Sequence, residues 1–564
     1  MHSRSGLLAL TLVSAAFAAQ PPAADAKLAT PPAAPAPEVN EPKPYEKVIT
    51  KEARTQDGIL RVHEVKDKLY FEIPKERLDR DMLLVATLAE VPEGVDHAGK
   101  EVNDDVVRFT LKENHVYFQR VSHHLMSDPN QPIAPAVAAS QRDVVLMAFH
   151  VEAFAKDGSP VIEVSKLFTS EVGDYSARMS LAATGLDPSR SYVDRVKAFP
   201  KNLRIDAVQT YTLAPFPMGF TPLPGMTAPA PRSASVKMAY SFVELPATPM
   251  RPRVFDDRVG FFTVDRLNYG TGEHRAKPET FITRWRLEKK DPSAALSEPV
   301  KPITWYIDAA TPVQWVPFIK KGVEAWNLAF EAAGFKNAVR ARPFPTKEED
   351  PEFDPEDVRY SIIRWVPSPV ENAYGPSIAD PRTGEILNAD IIIYHNILRL
   401  QRDWYFTQVA PLDPRAATLP LPDSLMGELV AFVVSHECGH SLGFPHNMKS
   451  SSLYPFDKIR DKAWLKEMGH VATLMDYSRF NYVVQPEDGV DPDLLRPRVG
   501  PYDVFAVKWG YTPIPAADDA AKEKPTLDAW AREQDTKPWL RFSTPGAEGA
   551  IPARTPRRWA TPTP

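Results

Sequence analysis

The sequence predicts an α+β protein, in which a β-rich N-terminal region precedes a domain that mixes strands with helices. Apolar and polar residues alternate in short runs through the first half, as half-buried strands require. Near residue 296 the pattern changes to a strand, an amphipathic helix and further strands. The proline-free segment 424–442 then predicts one buried helix, because its apolar residues follow steps of three and four.

The N-terminal end predicts export from the cytoplasm. Residues 1–19 combine a basic start, an apolar run and small residues at Ala16-Phe17-Ala18, which is the pattern of a signal peptide. Residues 20–44 are dense in proline and alanine and predict an extended linker. Cys438 is the one cysteine, so no disulfide can form within the chain. This suits a bacterial periplasm or exterior better than a eukaryotic secretory origin.

Residues 45–295 form the predicted β-rich region, which is long enough for two subdomains. Residues 215–231 are proline-rich and predict a loop or an internal boundary. The charged segment 251–258 predicts a structural ion-pair cluster in preference to a contact with the following domain. The predicted strands are 60–65, 69–73, 106–111, 115–121, 144–151 and 236–243.

Charge and hydropathy argue against a nucleic-acid partner and against a membrane-spanning helix. Acidic and basic residues nearly balance, with a formal net charge of −6, and no stripe of lysine and arginine stands out. A nucleic acid is therefore not an expected partner. After the leader, no apolar run approaches the roughly 18 residues that a transmembrane helix needs, so no membrane span is expected.

Residues 296–543 form the predicted second domain. Ile303–Ile307 predicts a strand, and 313–333 predicts an amphipathic helix that ends at Gly334. Further strands are predicted at 358–365 and 385–394, and closing helices at 502–509 and 524–540. Residues 544–564 are rich in proline, threonine and arginine and predict a disordered tail.

The segment 436–446 carries the chemistry, since it reads H-E-x-x-H-x-x-G-x-x-H. Residues four apart on a helix differ by about 40° and about 6 Å, so His436 and His440 project from one face. Gly443 can take positive φ and reverse the chain, which brings His446 back as a third ligand. Three imidazoles leave one position open, the arrangement of a catalytic rather than a structural zinc site.

Glu437 is the candidate general base. It lies beside the ligand face, near enough to take a proton from an activated water and pass it to a leaving amine. Cys438 falls on the opposite side of the helix and is not a candidate ligand.

The motif and the later run Thr473-Leu474-Met475-Asp476-Tyr477 resemble the metzincin clan of zinc peptidases. The resemblance implies one catalytic Zn²⁺ and a Met-turn in which Met475 forms an apolar floor under the ligands. It also implies that Tyr477 assists the oxyanion. With 446–451 and 502–511, the chain is similar to large exported bacterial metalloproteases whose N-terminal domains are uncharacterised. That similarity implies a mixed twisted sheet beside the active-site helix, followed by a mainly helical or irregular lower lobe.

The same resemblance implies a polypeptide substrate bound in extended form. In the clan, the strand before the active-site helix borders the cleft and pairs with the substrate backbone. Ile386–Tyr394 is the candidate for this strand. Burial in the core is the competing interpretation, since Ile391, Ile392 and Ile393 are apolar on both faces.

The residues favour a zinc endopeptidase over two alternatives. One alternative is a zinc amidase that acts on a non-peptide amide of the cell envelope, because the site chemistry would be the same. The other is a catalytically idle envelope-binding or scaffold protein. Glu437 argues against the idle protein, since a site without turnover has no chemical need for the carboxylate.

Overall fold

The computed structural model describes residues 41–93, 96–214 and 232–544. The predictions of a signal peptide at 1–19 and a loop at 215–231 lie outside the described residues. So do nearly all of the predicted linker at 20–44 and the predicted tail at 544–564. No helix within the described ranges is long and apolar enough to cross a membrane.

The N-terminal region is β-rich, as predicted, and its described residues also contain three short helices. The helices are α1 (Tyr45–Val48), α2 (Ala134–Ser140) and α3 (Ser165–Thr169). The strands are β1 (Arg54–Gln56), β2 (Arg61–Val65), β3 (Lys68–Glu72), β4 (Met82–Glu90), β5 (Glu101–Lys112), β6 (His115–Val121), β7 (Leu125–Met126), β8 (Val144–Phe154), β9 (Pro160–Glu163), β10 (Ala183–Leu186), β11 (Tyr192–Ala198), β12 (Asn202–Leu213), β13 (Ser233–Glu244), β14 (Thr263–Asn268) and β15 (Lys277–Ile282).

Twelve of these strands form one antiparallel sheet in the order β1-β2-β3-β9-β8-β6-β5-β4-β13-β12-β10, with β11 also paired to β12. Apolar and polar residues alternate along these strands, which gives the sheet one buried face. In β6, for example, Val116 and Phe118 are fully buried, whereas the residues between and beside them are partly exposed. Phe71, Phe109 and Phe242 meet on that face with ring centroids 5.9–6.3 Å apart. Each buried aromatic ring contributes about 1.5–3 kcal/mol to stability.

The second region mixes helices with a small sheet. Its helices are α4 (Val316–Glu324), α5 (Asn327–Ala332), α6 (Ile397–Val409), α7 (Asp423–Ser441), α8 (Lys462–Met468), α9 (Pro501–Tyr511) and α10 (Ala520–Ala531). Its strands are β16 (Ile303–Ile307), β17 (Val339–Pro343), β18 (Ser361–Val366), β19 (Ala373–Tyr374), β20 (Ile378–Asp380), β21 (Glu385–Asn388) and β22 (Ile391–Tyr394). The α+β prediction is confirmed.

The five-stranded sheet of this region has the order β17-β16-β18-β22-β19. Its first four strands are parallel, and β19 runs antiparallel at one edge. Helix α7 packs against α4, α6, β22 and β19. The sheet therefore supports the helix that carries the histidines.

Two predicted elements are divided in the structure. The helix predicted at 313–333 is α4 followed by α5. The strand predicted at 385–394 is wrong as a single strand, because β21 forms a hairpin with β20 while β22 enters the five-stranded sheet. The break has a polar cause: the Asp390 carboxylate accepts a hydrogen bond from Ile362 N, and Ser361 Oγ accepts one from Ala389 N. These bonds replace strand pairing where the chain leaves one sheet for the other.

The charged segment 251–258 is an ion-pair cluster, but its partners include the second region. Arg253 is 1% exposed and donates to Glu523 of α10 at 2.9 Å. Arg258 donates to both Asp256 and Asp528. The contact with the following domain, which the sequence prediction ranked second, is therefore also present.

Candidate metal centre

Helix α7 presents the first two histidines from a rigid setting. Leu425, Leu429 and Val434 are fully buried along its length. The indole Nε1 of Trp326 donates to Ser435 O at 2.8 Å, one residue before the motif begins. The apolar spacing that predicted this helix thus also fixes it against the sheet and α4.

The chain reverses after α7 through a Schellman motif at Gly443. Gly443 has φ +101°, a conformation that L side chains rarely adopt. Phe444 N donates to Gly439 O at 3.1 Å and Gly443 N donates to His440 O at 2.9 Å, the two bonds of that motif. The ring of Phe444 then stacks on Trp326 at 5.5 Å. This reversal carries His446 back toward the helix.

The three histidines converge through their Nε2 atoms. His446 Nε2 lies 3.2 Å from His436 Nε2 and 3.1 Å from His440 Nε2. Their ligand atoms all lie within 4.8 Å of one another. Tetrahedral zinc with Zn–N bonds of about 2.0–2.1 Å places its ligand nitrogens about 3.3 Å apart. The spacing of the donor atoms therefore fits a zinc ion.

Hydrogen bonds at the other ring nitrogen fix the orientation of two ligands. His436 Nδ1 donates to Leu474 O at 2.9 Å, and His440 Nδ1 donates to Phe444 O at 2.7 Å. With the proton on Nδ1, the lone pair on each Nε2 points toward the common centre. Burial lowers the pKa of His440 to about 3 and that of His446 to about 4, so both are neutral near pH 7.

Glu437 lines the same cleft as His440 and His446. Its side chain is 8% exposed, and burial raises its pKa to about 8, opposed by a hydrogen bond from the backbone of Gly375. Gly375 directly follows the edge strand β19. The carboxylate is thus held between the helix and the edge of the sheet, and a bound cation would favour its charged form.

Met475, the predicted Met-turn residue, packs against helix α7 within the motif. It is 1% exposed, and its sulfur lies beside Gly439 of α7. A Cβ at Gly439 would collide with this sulfur and with the Trp326 ring, so a larger residue there requires these side chains to shift. Met475 O also accepts a hydrogen bond from Asn447 N, directly after the third histidine.

Tyr477 lies against the ligand rings. Its ring centroid is 4.2 Å from that of His446 and 5.6 Å from that of His436, almost parallel to the latter. Burial raises the pKa of the phenol, and nearby Glu437 raises it further. Tyr477 is therefore a protonated hydrogen-bond donor at neutral pH, and it lines the same cleft.

Cys438 is fully buried away from this centre. Burial raises the pKa of its thiol well above the ordinary value. It remains an uncharged core residue, in agreement with its predicted position opposite the ligand face.

Residues of the N-terminal region donate hydrogen bonds to the end of α7, next to the histidines. The sequence did not predict these bonds. Trp285 Nε1 donates to Ser441 O at 2.8 Å, and Phe262 N donates to Gly443 O at 2.8 Å. Tyr511 adds a bond to Leu442 O at 2.7 Å. Three successive carbonyls at the end of α7 are thus satisfied by other parts of the chain. The Phe262 ring also lies 6.0 Å from that of His440.

Asp503 is a second residue that the sequence prediction missed. It accepts hydrogen bonds from Leu474 N at 2.9 Å, Gly500 N at 2.8 Å and the Thr473 hydroxyl. It therefore joins the start of α9 to the Met-turn. An aspartate three residues after Gly500 is a capping pattern, so the sequence could have predicted that Asp503 lies at a helix start. It could not have predicted the hydrogen bonds to the Met-turn.

The predicted substrate strand is corrected by the structure. Residues Ile391–Tyr394 are buried, and β22 pairs with β18 on one side and β19 on the other. Burial in the core, the competing interpretation, therefore applies to this part. The strand that borders the cleft is β19, where Tyr374 is 42% exposed.

The cleft itself lies between the two regions. It has a volume of about 1670 Å³ and contains Glu437, His440, His446 and Tyr477. Residues of β5, β14 and the segment 120–124 face them from the N-terminal region. The N-terminal region thus supplies one wall of the cleft that holds the histidines.

Family comparisons give results along most of the chain. Residues 418–557 match the family described as Met-zincin. Residues 99–290 match a domain of unknown function (DUF5117), and residues 42–91 match another (DUF5118). No curated protein and no solved structure matches the chain. The Met-zincin match suggests a zinc metallopeptidase and implies zinc as the metal. The chain therefore carries a metzincin-type domain, preceded by uncharacterised N-terminal domains.

Proposed function

We propose that this protein is a zinc endopeptidase. The observation that carries the proposal is the convergence of three imidazole nitrogens beside an open cleft that a buried carboxylate also lines. His436, His440 and His446 would hold the ion. Bound zinc supplies Lewis acidity, which lowers the pKa of water and polarises a carbonyl group.

Glu437 is the proposed general base and acid. It takes the proton of the attacking water and delivers it to the nitrogen of the leaving amine. Its buried setting suits this role, because the carboxyl group must hold the proton between the two transfers. Tyr477 donates a hydrogen bond to the carbonyl oxygen as that oxygen gains negative charge.

The substrate is proposed to be a polypeptide in extended form along β19. Within the described residues β19 pairs only with β22, so its other edge faces the cleft. Addition of a strand at this edge uses main-chain hydrogen bonds and requires little sequence selectivity. The proposal replaces Ile386–Tyr394 with Ala373–Tyr374 as the pairing segment.

Glu437→Gln tests the mechanism. We expect this variant to keep zinc and to lose turnover of a peptide library by roughly 10²–10⁴-fold. Glu428→Gln is the matched control, since Glu428 lies on the same helix but pairs with Lys321 outside the cleft. Unchanged peptide hydrolysis by Glu437→Gln would refute the mechanism. Hydrolysis of cell-wall amides without hydrolysis of peptides would favour the amidase.

The leader-like residues 1–19 support a proposed location outside the cytoplasm. N-terminal sequencing of protein recovered from the periplasm or medium tests it. A chain that begins near residue 19 or 20 supports export, and an intact leader on cytoplasmic protein contradicts it.

A further inference from the structure

Arg479 lies between two aromatic rings, two residues beyond Tyr477. Its guanidinium carbon is 3.9 Å from the ring centroid of Trp404 and 4.5 Å from that of Tyr477. Trp404 belongs to α6, which packs against the metal-binding helix. The arginine therefore links Tyr477 to a second element of the fold.

The backbone holds this arginine in an unusual conformation. Arg479 has φ +60°, a left-handed conformation that residues with a side chain rarely adopt. Its carbonyl accepts a hydrogen bond from His470 Nε2 at 3.1 Å. The next amide, Phe480 N, donates to Gln408 Oε1 of α6 at 3.1 Å. Strain that is held by surrounding bonds in this way is common near functional sites.

The stack continues from Tyr477 to the histidines. On one face the phenol ring contacts the guanidinium, and its ring also lies 4.2 Å from that of His446. Trp404, Arg479, Tyr477 and His446 thus form one continuous series of contacts. Without the guanidinium, the phenol would lose one of the contacts that hold its ring in place.

We propose that Arg479 is a positioning residue, which holds the Tyr477 phenol against the histidines and directs its hydroxyl into the cleft. A cation over a phenol ring also withdraws electron density and strengthens the hydroxyl as a donor. This inference rests on the proposed function, in which Tyr477 stabilises the carbonyl oxygen. Because that charge develops only in the transition state, Arg479 should affect kcat and leave KM nearly unchanged.

A double-mutant cycle tests this role in the full-length zinc-loaded protein. We expect Arg479→Met to lower kcat roughly 2- to 30-fold, the range of a cation–π contact. Arg479→Lys should lower kcat less than Arg479→Met does, since lysine keeps the positive charge. In the Tyr477→Phe background, Arg479→Met should have no further effect on kcat. Arg460→Met is the matched control, since Arg460 also lies over a ring, that of Phe456 at 6.0 Å.

A second readout does not depend on turnover. In zinc-free protein labelled with fluorotyrosine, the ¹⁹F resonance of residue 477, assigned by its loss in Tyr477→Phe, should shift in Arg479→Met but not in Arg460→Met. An unshifted resonance would overturn the proposal, as would an equal kcat loss in both Tyr477 backgrounds. Turnover retained by Glu437→Gln refutes the proposed function. If Glu437→Gln loses turnover but Arg479→Met lowers kcat equally with and without the Tyr477 hydroxyl, only the role of Arg479 is refuted.

Discussion

Gly443→Ala tests whether the chain reversal after α7 builds the metal centre. Gly443 has φ +101°, and a Cβ there would collide with the backbone oxygen of Thr283. The neighbouring backbone is itself fixed, because Phe262 N donates to Gly443 O. The alanine can therefore be accommodated only if the reversal shifts, and His446 shifts with it.

The magnitude follows from these two effects. A residue with a Cβ loses roughly 1–2 kcal/mol in a left-handed conformation. Backbone displacement to relieve the collision adds to this, so we expect a loss of about 2 kcal/mol or more in the free energy of unfolding. Displacement of the group that positions a ligand typically weakens metal binding about 10–100-fold, and we expect a loss in this range.

Zinc affinity is measured by competition with a chromophoric chelator, and stability by denaturant unfolding of the zinc-free protein. Gly173→Ala is the control, since a Cβ there meets no atom within 4 Å and its φ is not positive. Wild-type zinc affinity and stability in Gly443→Ala would refute the argument that this reversal closes the ligand set.

Two further predictions concern the surroundings of the centre. Trp285→Phe removes the donor to Ser441 O and should lower the free energy of unfolding by about 1–3 kcal/mol. Urea unfolding measures this loss. An unchanged unfolding midpoint would argue against a supporting role for the N-terminal region. Burial lowers the pKa of His470 from 6.5 to about 4, so between these pH values the unfolded chain binds more protons than the folded chain. Stability of the zinc-free protein should therefore fall as pH drops from about 6.5 to about 4, by up to about 3 kcal/mol from this residue. Unfolding curves at pH 4.5 and 7 should show a smaller pH dependence in His470→Gln, and equal dependence in both proteins contradicts the assignment.

The parts of the site that sequence could predict are those encoded over short distances. The spacing of His436 and His440 defines one helix face, and Gly443 marks where that helix must end. The role of Met475 came instead from the resemblance to metzincins. The structure brings the three histidines together within 4.8 Å, because the helix and the reversal at Gly443 depend mainly on neighbouring residues.

The parts that sequence could not predict depend on distant partners. Strand β19 has two residues, too few for a periodic signal, and its neighbour Ile391–Tyr394 presents a stronger apolar pattern. Trp285 contacts Ser441 across 156 positions, and Asp503 contacts Leu474 across 29. No local pattern distinguishes such a tryptophan or aspartate from one that serves only the core or a helix cap.

The metal centre is tested most directly by the zinc K-edge absorption spectrum of the purified full-length protein. We predict one zinc per chain, with histidine nitrogens at about 2.0–2.1 Å as ligands. His446→Ala should remove one of the three nitrogens. A sulfur ligand at about 2.3 Å, or protein that holds no stoichiometric zinc, would contradict the account.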